Sequence, residues 1–258
     1  MRARVRLWQL GLLVFLIAGW EVSVRAGWVD AFFFSKPSDI AARVWAWFAT
    51  GEIYGHLWIT LWETLLAFLI GTVLGVVLGL WLALVPTASA VLDPFIKALN
   101  SIPRVILAPI FTLWFGLGVA SKVALGVTLV FFVAFFNTYQ GIKEVNPVVL
   151  ANARMLGASG AQLLRHVYLP SAASWIFSSL RTSIGFAVIG AVVGEYLGSA
   201  KGLGYLISQA EGVFDTTGVF AGMVVLAAFV VLLDWVVSRV EARLLVWRPV
   251  PGQEGEAL

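Results

Sequence analysis

The sequence predicts an all-α membrane protein with about six transmembrane helices. Of its 258 residues, 60% are hydrophobic and only 12% are charged, whereas soluble domains average about 25% charged residues. The mean hydropathy is +0.94, and lipid can cover apolar surface that a soluble domain of this size could not hide. The chain has no cysteine, which excludes disulfides and thiolate metal sites.

Six apolar segments support this fold class, since a helix needs about 20 residues to cross the bilayer core. The third is short and contains Pro109, so we expect it to be kinked or tilted. Residues 1–23 also have the basic start of a signal peptide, but their apolar run is long and no clean cleavage site follows. The segments are 7–23, 57–84, 103–118, 121–138, 171–197 and 218–237.

The basic residues orient these helices. With a cytoplasmic N-terminus, eleven Lys and Arg fall on the inner side and five, Lys122 among them, on the outer side. This distribution obeys the positive-inside rule. We therefore expect both termini and the segment 145–170 in the cytoplasm, and we interpret the basic residues as orienting charges rather than a nucleic-acid surface.

Two further patterns concern helix placement. The outer segment 24–56 predicts a turn followed by a helix lying in the membrane interface. Tryptophans would mark the headgroup level there, namely Trp45, Trp47 and Trp58. Within 57–84, glycine recurs every fourth residue, at Gly71, Gly75 and Gly79. Such a stripe lets the backbone of another helix come close. The contact is either a sliding contact at a gate or ordinary tight packing.

A capped polar element, residues 145–170, interrupts the apolar pattern. Asn146 can cap a helix whose first position is Pro147, and Gly157 suits the left-handed residue that ends a helix.

A second short helix follows in the same element. Ser159 can cap it, with Gln162 completing a capping box, and we expect Leu169-Pro170 to end it and start the next span. A structured cytoplasmic loop of this length is a natural docking piece for a soluble partner, because ordinary loops are shorter.

The element resembles the cytoplasmic loop E-A-A-x-x-x-G-x9-I-x-L-P of ABC importer permease subunits. The glycine, leucine and proline are kept, while Ala151 replaces the glutamate, Asn152 the first alanine and Val167 the isoleucine. The residues that the resemblance assigns to ATPase coupling are Ala151, Asn152, Ala153, Arg154, Gly157, Ala158, Leu169 and Pro170.

Two weaker matches resemble the nitrate/sulfonate/taurine branch of these permeases. Ile102-Pro103 through Pro109 and Trp114-Phe115-Gly116 is similar to the branch's P-I-P…P…W-F-G run. The stretches 195–198 and 202–206, EYLG and GLGYL, are similar to its E-x-L-G…G-L-G-Y-L pattern.

The resemblance implies a type I ABC importer permease fold in the bacterial inner membrane. It divides the chain into an N-terminal helix with the outer segment (1–54), a permease core (55–240) and a cytoplasmic tail (241–258). It implies two copies of an ABC ATPase subunit, a second permease copy forming a homodimer, and a periplasmic solute-binding protein. The solute would be small and anionic, such as a sulfonate, taurine, nitrate or an aromatic acid.

No cofactor is expected in the chain itself. It has no G-x-x-x-x-G-K-[ST] phosphate loop, so ATP and Mg²⁺ would be bound by the partner ATPase.

Four ionisable residues fall within predicted spans: Glu63, Arg181, Glu195 and Asp234. Arg181 near mid-span is costly in lipid, and its polar neighbours predict a turn that faces the protein interior. It either attracts an anion on the pathway or has a structural role, as an ion pair with Glu63 or as a donor to backbone carbonyls. Glu195 and Asp234 are near span ends and are expected to reach water. Asn137 is expected to bond between helices.

Two other function classes compete with an importer permease. A self-sufficient secondary transporter would show internal repeats and midplane carboxylates, and an intramembrane enzyme would need a nucleophile–base pair or a metal cluster. We find no convincing repeat, few midplane carboxylates and only two histidines, His56 and His166, both at interfaces. The prediction is a permease without chemistry of its own.

Overall fold

The computed structural model describes residues 2–244, and all regular structure in that range is helical. A 3₁₀ turn at Arg104–Leu107 and a π-helical turn at Leu164–Tyr168 join consecutive helices. The α-helices are α1 Arg2–Arg25, α2 Ala31–Phe34, α3 Pro37–Thr50, α4 Glu52–Leu84, α5 Pro86–Ser101, α6 Ala108–Phe115, α7 Val119–Lys143, α8 Pro147–Met155, α9 Gly160–Leu163, α10 Leu169–Leu197, α11 Leu203–Gly212 and α12 Thr216–Leu244.

Five helical stretches are long and apolar enough to cross a membrane, so the chain is a multi-pass membrane protein. They are Arg4–Arg25, Glu52–Leu84, Val119–Lys143, Gly160–Leu197 and Thr216–Arg239. A sixth span exists only if α5 and the segment Arg104–Phe115 are counted together, and these two are bent by 82°.

The predicted third span, 103–118, covers only the second arm of this bent pair, and the bend lies at its predicted start. Pro103 has an extended backbone (ψ 99°) between α5 and the 3₁₀ turn, and a proline also disfavours helical geometry in the residue before it. Pro109 does not kink α6, because it lies in the first turn, where no backbone donor is needed.

The chain divides into two compact units, and four long helices contribute to both. The first unit comprises Met1–Leu69, Ile102–Thr128 and Ala187–Ala228. The second comprises Ile70–Ser101, Leu129–Phe186 and Phe229–Leu258, of which residues 245–258, and with them most of the expected cytoplasmic tail, lie outside the described range.

Small residues bring helices close together within each unit. In the first, a Cβ added to Gly126 of α7 would lie 2.5 Å from the Cβ of Ala67 on α4. In the second, a Cβ on Gly75 would lie 2.6 Å from the carbonyl oxygen of Phe131, and one on Gly79 would lie 2.7 Å from that of Phe135. Gly75 and Gly79 of the predicted glycine stripe thus lie in close contact with α7.

The next span, α10, begins at Leu169 as expected, but the chain does not break there. Residues Gly160–Leu197 form one continuous helical stretch of 38 residues. The π-helical turn directly before Pro170 explains this, because a π turn shifts the hydrogen-bond register where proline lacks a donor.

The outer segment contains the predicted helix, α3. The tryptophans expected at the headgroup level differ in their exposure. Trp45 and Trp58 are exposed and suited to the headgroup region. Trp47 is buried against the protein and does not face the surroundings.

Candidate functional site

The docking element, defined here as residues 147–163, begins with the predicted cap. The Asn146 side chain accepts a hydrogen bond from the Val148 N–H at 2.9 Å, and Pro147 occupies the first turn of α8. A helix start leaves its first backbone N–H groups unpaired. The Asn146 side chain pairs one of them, and Pro147 has no N–H to pair. The predicted start of the first short helix is confirmed.

The end of α8 is a Schellman motif. Gly157 has a φ of +81°, its N–H donates to the carbonyl of Arg154 at 3.0 Å, and the Ala158 N–H donates to the carbonyl of Ala153 at 3.1 Å. These two bonds satisfy carbonyls that α8 leaves free. The predicted left-handed glycine stop is confirmed.

The second short helix starts with the predicted capping box. The Ser159 N–H donates to the Gln162 side chain at 2.7 Å, and the Gln162 N–H donates to the Ser159 hydroxyl at 3.4 Å. The buried side chains of Leu163 and Val167 anchor this helix. The docking element is therefore held at both helix starts and along one face.

The turn between the two helices presents apolar side chains outward. Met155 is 85% exposed and Leu156 is 88% exposed, the latter beside a hollow of about 290 Å³. Large apolar side chains next to a hollow are what a protein partner binds, because both can be filled and covered on contact. The hollow is lined by Ala153, Leu156, Gly157, Ala158, Gln162, His166 and Val167.

The structure brings most of the expected coupling residues together. Ala151, Asn152 and Arg154 are exposed on α8, and Gly157 and Ala158 form the turn. Leu169 and Pro170 instead begin α10, directly after the π-helical turn that follows α9. The sequence analysis missed Met155, whose signal is an apolar side chain at the end of an exposed helix just before its glycine stop.

The second polar site is buried in the first unit and centres on Glu195. This side chain is 1% exposed, so the expectation that it reaches water is wrong. The Thr60 hydroxyl donates to its Oε1 at 2.6 Å, and the Gly204 N–H donates to its Oε2 at 2.7 Å. Two donors compensate the carboxyl for the water it has lost.

Lys122 lies in the same site. It is 0% exposed, so its assignment as an outer orienting charge is wrong. Its Nζ donates to the carbonyl oxygens of Leu117 and Gly198, both at 2.5 Å. The ammonium also attracts both Glu63 and Glu195 electrostatically. We call Glu63, Lys122 and Glu195 the carboxyl cluster.

Glu63 completes the carboxyl cluster. It is 1% exposed, and its Oε2 is buried without a hydrogen-bond partner among the described residues. Burying a carboxyl group without full hydrogen bonding is costly, and the positive charge of Lys122 reduces that cost.

A glycine turn encloses the carboxyl cluster. Gly202 has a φ of +118°, and a Cβ at this position would overlap the Glu195 carboxyl group. The Gly202 N–H donates to His56 Nδ1 at 3.0 Å, and the Leu203 N–H donates to Thr60 Oγ1 at 2.9 Å. The E-x-L-G…G-L-G-Y-L pattern therefore encodes a glutamate and the glycine turn that surrounds it.

Arg181 lies in the second unit and pairs with Asp234, not with Glu63. Its Nε is 3.3 Å from Asp234 Oδ1 and its Nη2 is 3.4 Å from Oδ2. The two side chains are 56% and 47% exposed, so the expectation that this turn faces the interior is wrong for Arg181. Ser179 and Ser183, on the opposite side of α10, are the buried residues there.

The structure also bears on Asn137 and on metal binding. The Asn137 amide donates to the carbonyl of Val133 on its own helix, so the expected bond between helices is wrong. Within residues 2–244 no group of three or more His, Asp or Glu could hold a metal ion.

Comparison with known proteins agrees with this architecture. Residues 71–246 match the family model of the binding-protein-dependent transport system inner membrane component. The chain is 35% identical to SsuC of Bacillus subtilis, a permease protein named for aliphatic sulfonates, over 93% of the chain and 88% of SsuC. It is also 35% identical to the riboflavin transport system permease protein RibX of Chloroflexus aurantiacus, over 91% of the chain and 88% of RibX.

A solved structure supports the fold. The inward-facing MetNI methionine ABC transporter has a chain that matches with a TM-score of 0.64 at 20% identity, covering 73% of this chain and 94% of that one. This likeness identifies a type I ABC importer permease fold. The family is one of transport permeases rather than enzymes or self-sufficient carriers. The chain therefore belongs to the binding-protein-dependent transport system inner membrane component family and is an ABC importer permease subunit.

Proposed function

We propose that two copies of the chain form the path by which a small anionic solute crosses the bacterial inner membrane. A periplasmic binding protein delivers the solute, and a separate ATPase subunit binds each permease copy from the cytoplasm. ATP and Mg²⁺ are bound by that ATPase. The chain itself contributes the pathway and the mechanical connection to the ATPase.

The docking element is the observation that carries this proposal. Its backbone is fixed by an Asn cap, a Schellman motif and a capping box, while Met155 and Leu156 remain exposed. A rigid element transmits motion from a partner better than a flexible loop, because little of the displacement is lost in bending.

The charged residues of the docking element differ from those of the family motif, which affects how the element would fit an ATPase groove. Ala151 stands where the family motif has glutamate, so this chain offers no acidic contact at that position. The exposed Arg154, one turn further along α8, offers a basic one. We propose that the ATPase groove places an acidic side chain opposite Arg154 and an apolar pocket opposite Leu156.

An anionic solute is supported by the relative SsuC, which is named for aliphatic sulfonates. Uptake tests with single sulfur sources in a deletion strain identify the solute.

Co-purification tests the docking proposal. A tagged wild-type chain from native membranes should retain an ATPase subunit and hydrolyse ATP, whereas the chain stripped of partners should not hydrolyse ATP. The double variant Met155→Asp/Leu156→Asp should lose the ATPase, because it places charges in an apolar contact. The control Val213→Asp changes an exposed residue of the first unit and should keep it; equal retention by both variants would reject the docking site.

A further inference from the structure

The first half of α10, in the second unit, exposes a polar face. Six residues of the range 171–186 are exposed, and five of them carry a hydroxyl group or a charge. The sixth is Trp175, which is 37% exposed. The five residues, called here the polar face, recur every three or four positions and so lie on one side of the helix; they are Ser171, Ser174, Ser178, Arg181 and Thr182.

Helix contacts fix the depth of the polar face. A Cβ on Gly141 of α7 would lie 2.9 Å from the Cβ of Trp175 on α10, so these two residues are level. The docking element returns the chain from the end of α7 to the start of α10, so the two helices run in opposite directions. Arg181, six residues after Trp175, is therefore level with Phe135, six residues before Gly141.

At this level α4 exposes only apolar side chains. A Cβ on Gly79 would lie 2.7 Å from the carbonyl oxygen of Phe135, so Gly79 is also level with Arg181. Apolar side chains suit lipid, whereas charges are costly there. The polar face and the exposed face of α4 therefore have different surroundings at the same depth. The exposed residues of α4 on either side of Gly79 are Val77, Leu78 and Trp81.

The ion pair on the polar face favours water over a second protein surface. The side chains of Arg181 and Asp234 remain 56% and 47% exposed while they are paired. Covering the pair with protein would remove the water that still solvates both charges, and the loss of that water can exceed the gain from their attraction. The exposed serine and threonine hydroxyls keep their hydrogen bonds when water faces them.

We propose that the polar face of α10 lines the water-filled path by which the solute crosses the membrane. The hydroxyl groups of Ser178 and Thr182 offer hydrogen bonds to the oxygen atoms of a polar solute, and the Arg181–Asp234 pair keeps the path hydrated. This inference rests on the proposed transport function and names the helix face that the solute contacts.

Cysteine accessibility tests the inference, because the chain has no native cysteine. Thr182→Cys is compared with the matched control Leu78→Cys, an exposed residue at the same level on α4. Full-length chains in open fragments of native membrane are treated with sulfonatoethyl methanethiosulfonate, a small water-soluble sulfonate. The reagent needs a thiolate, which forms in water and not in lipid, so Thr182→Cys should react at least about tenfold faster than Leu78→Cys.

Each outcome of the labelling decides the inference. Similar rates for the two variants, whether fast or slow, would overturn it. Slow labelling of Thr182→Cys, with a disulfide between two permease copies after oxidation, would assign the polar face to a second copy instead. If Thr182→Cys fails to insert, Ser178→Cys, which exchanges a single atom, carries the same comparison.

Uptake separates this inference from the proposed function. Labelling of Thr182→Cys should block uptake of the sulfur source that the wild type imports, and unchanged uptake would place the polar face outside the path. A deletion strain that still uses every sulfur source would reject the proposed solute class, whereas the two labelling rates would still decide whether water reaches the polar face.

Discussion

The docking element and the carboxyl cluster are both polar interruptions of an apolar chain, but they are stabilised in opposite ways. The docking element satisfies its backbone with local caps and leaves Met155 and Leu156 exposed. The carboxyl cluster buries Glu63, Lys122 and Glu195 almost completely, and residues distant in the sequence form hydrogen bonds with Lys122 and Glu195.

This difference separates function from stability. If the proposed docking holds, changes at exposed side chains of the docking element should remove contacts with a partner and leave the fold intact. Changes in the carboxyl cluster leave a buried charge without compensation and weaken the fold itself. The predictions below test this division in order of decreasing effect.

The largest effect is expected for Lys122→Met. Losing the ammonium leaves the buried carbonyl oxygens of Leu117 and Gly198 without their donor and removes the positive charge that Glu63 and Glu195 face. Leaving buried charge without compensation costs about 3–5 kcal/mol of unfolding free energy. Thermal unfolding of the purified chain measures the loss. Lys143→Met, at the exposed end of the same helix, is the matched control and should change little; an equal effect of both would show that Lys122 has no special role.

Gly202→Ala is expected to come next, at about 2–4 kcal/mol. The new Cβ meets the Glu195 carboxyl, and a φ of +118° is strained for any residue other than glycine. Gly212→Ala is the control, because a Cβ there meets no atom within 4 Å. Comparable melting temperatures for the two variants would contradict the proposed fit of the glycine turn around Glu195.

Gly157→Ala is expected to cost about 1–2 kcal/mol, the usual penalty of the left-handed region, and this cost should remain local to the docking element. Membrane abundance should stay normal while uptake falls and ATP hydrolysis becomes uncoupled from transport. The control is Gly160→Ala, three residues later and equally open in space. Normal uptake by Gly157→Ala would mean that the shape of this turn is not needed for coupling.

The smallest effect concerns the Arg43–Asp215 pair of the first unit, with Nη1 and Oδ2 2.5 Å apart. Partial burial raises the pKa of Asp215, but hydrogen bonds from the Gly218 N–H and Arg43 outweigh it, and the net pKa is lowered from the ordinary 3.8. A lowered pKa stabilises the fold above the unfolded-state value, and this stability is lost as the pH falls through the folded-state pKa.

Asp215→Asn should therefore lose about 1 kcal/mol or less at neutral pH. Its melting temperature should also fall less than that of wild type when the pH is lowered below about 4. Parallel pH profiles for the two proteins would refute this assignment.

The structure of the docking element could be predicted from the sequence, because the residues that determine it are close together in the chain. Asn146, Gly157, Ser159 and Gln162 lie within one or two helical turns of the backbone groups they satisfy. Local hydrogen bonds of this kind follow directly from residue spacing. The continuous helix through Pro170 was missed because a π-helical turn has no comparable sequence signature.

The carboxyl cluster could not be predicted in the same way. Thr60 and Glu195 are 135 residues apart, and Lys122 and Gly198 are 76 residues apart. Lys122 resembles an orienting charge in the sequence, because it lies near the start of its helix. Likewise, the choice of Asp234 over Glu63 as the partner of Arg181 depends on helix packing rather than on spacing.

The central claim is that the turn of the docking element binds an ATPase subunit. Since the chain has no native cysteine, Leu156→Cys provides a single attachment point for a benzophenone maleimide, and Val213→Cys provides an exposed control in the first unit. After illumination of native membranes, the account predicts a cross-linked product of permease and ATPase for Leu156→Cys and none for Val213→Cys. Efficient labelling at Leu156→Cys without any cross-link to an ATPase would contradict it.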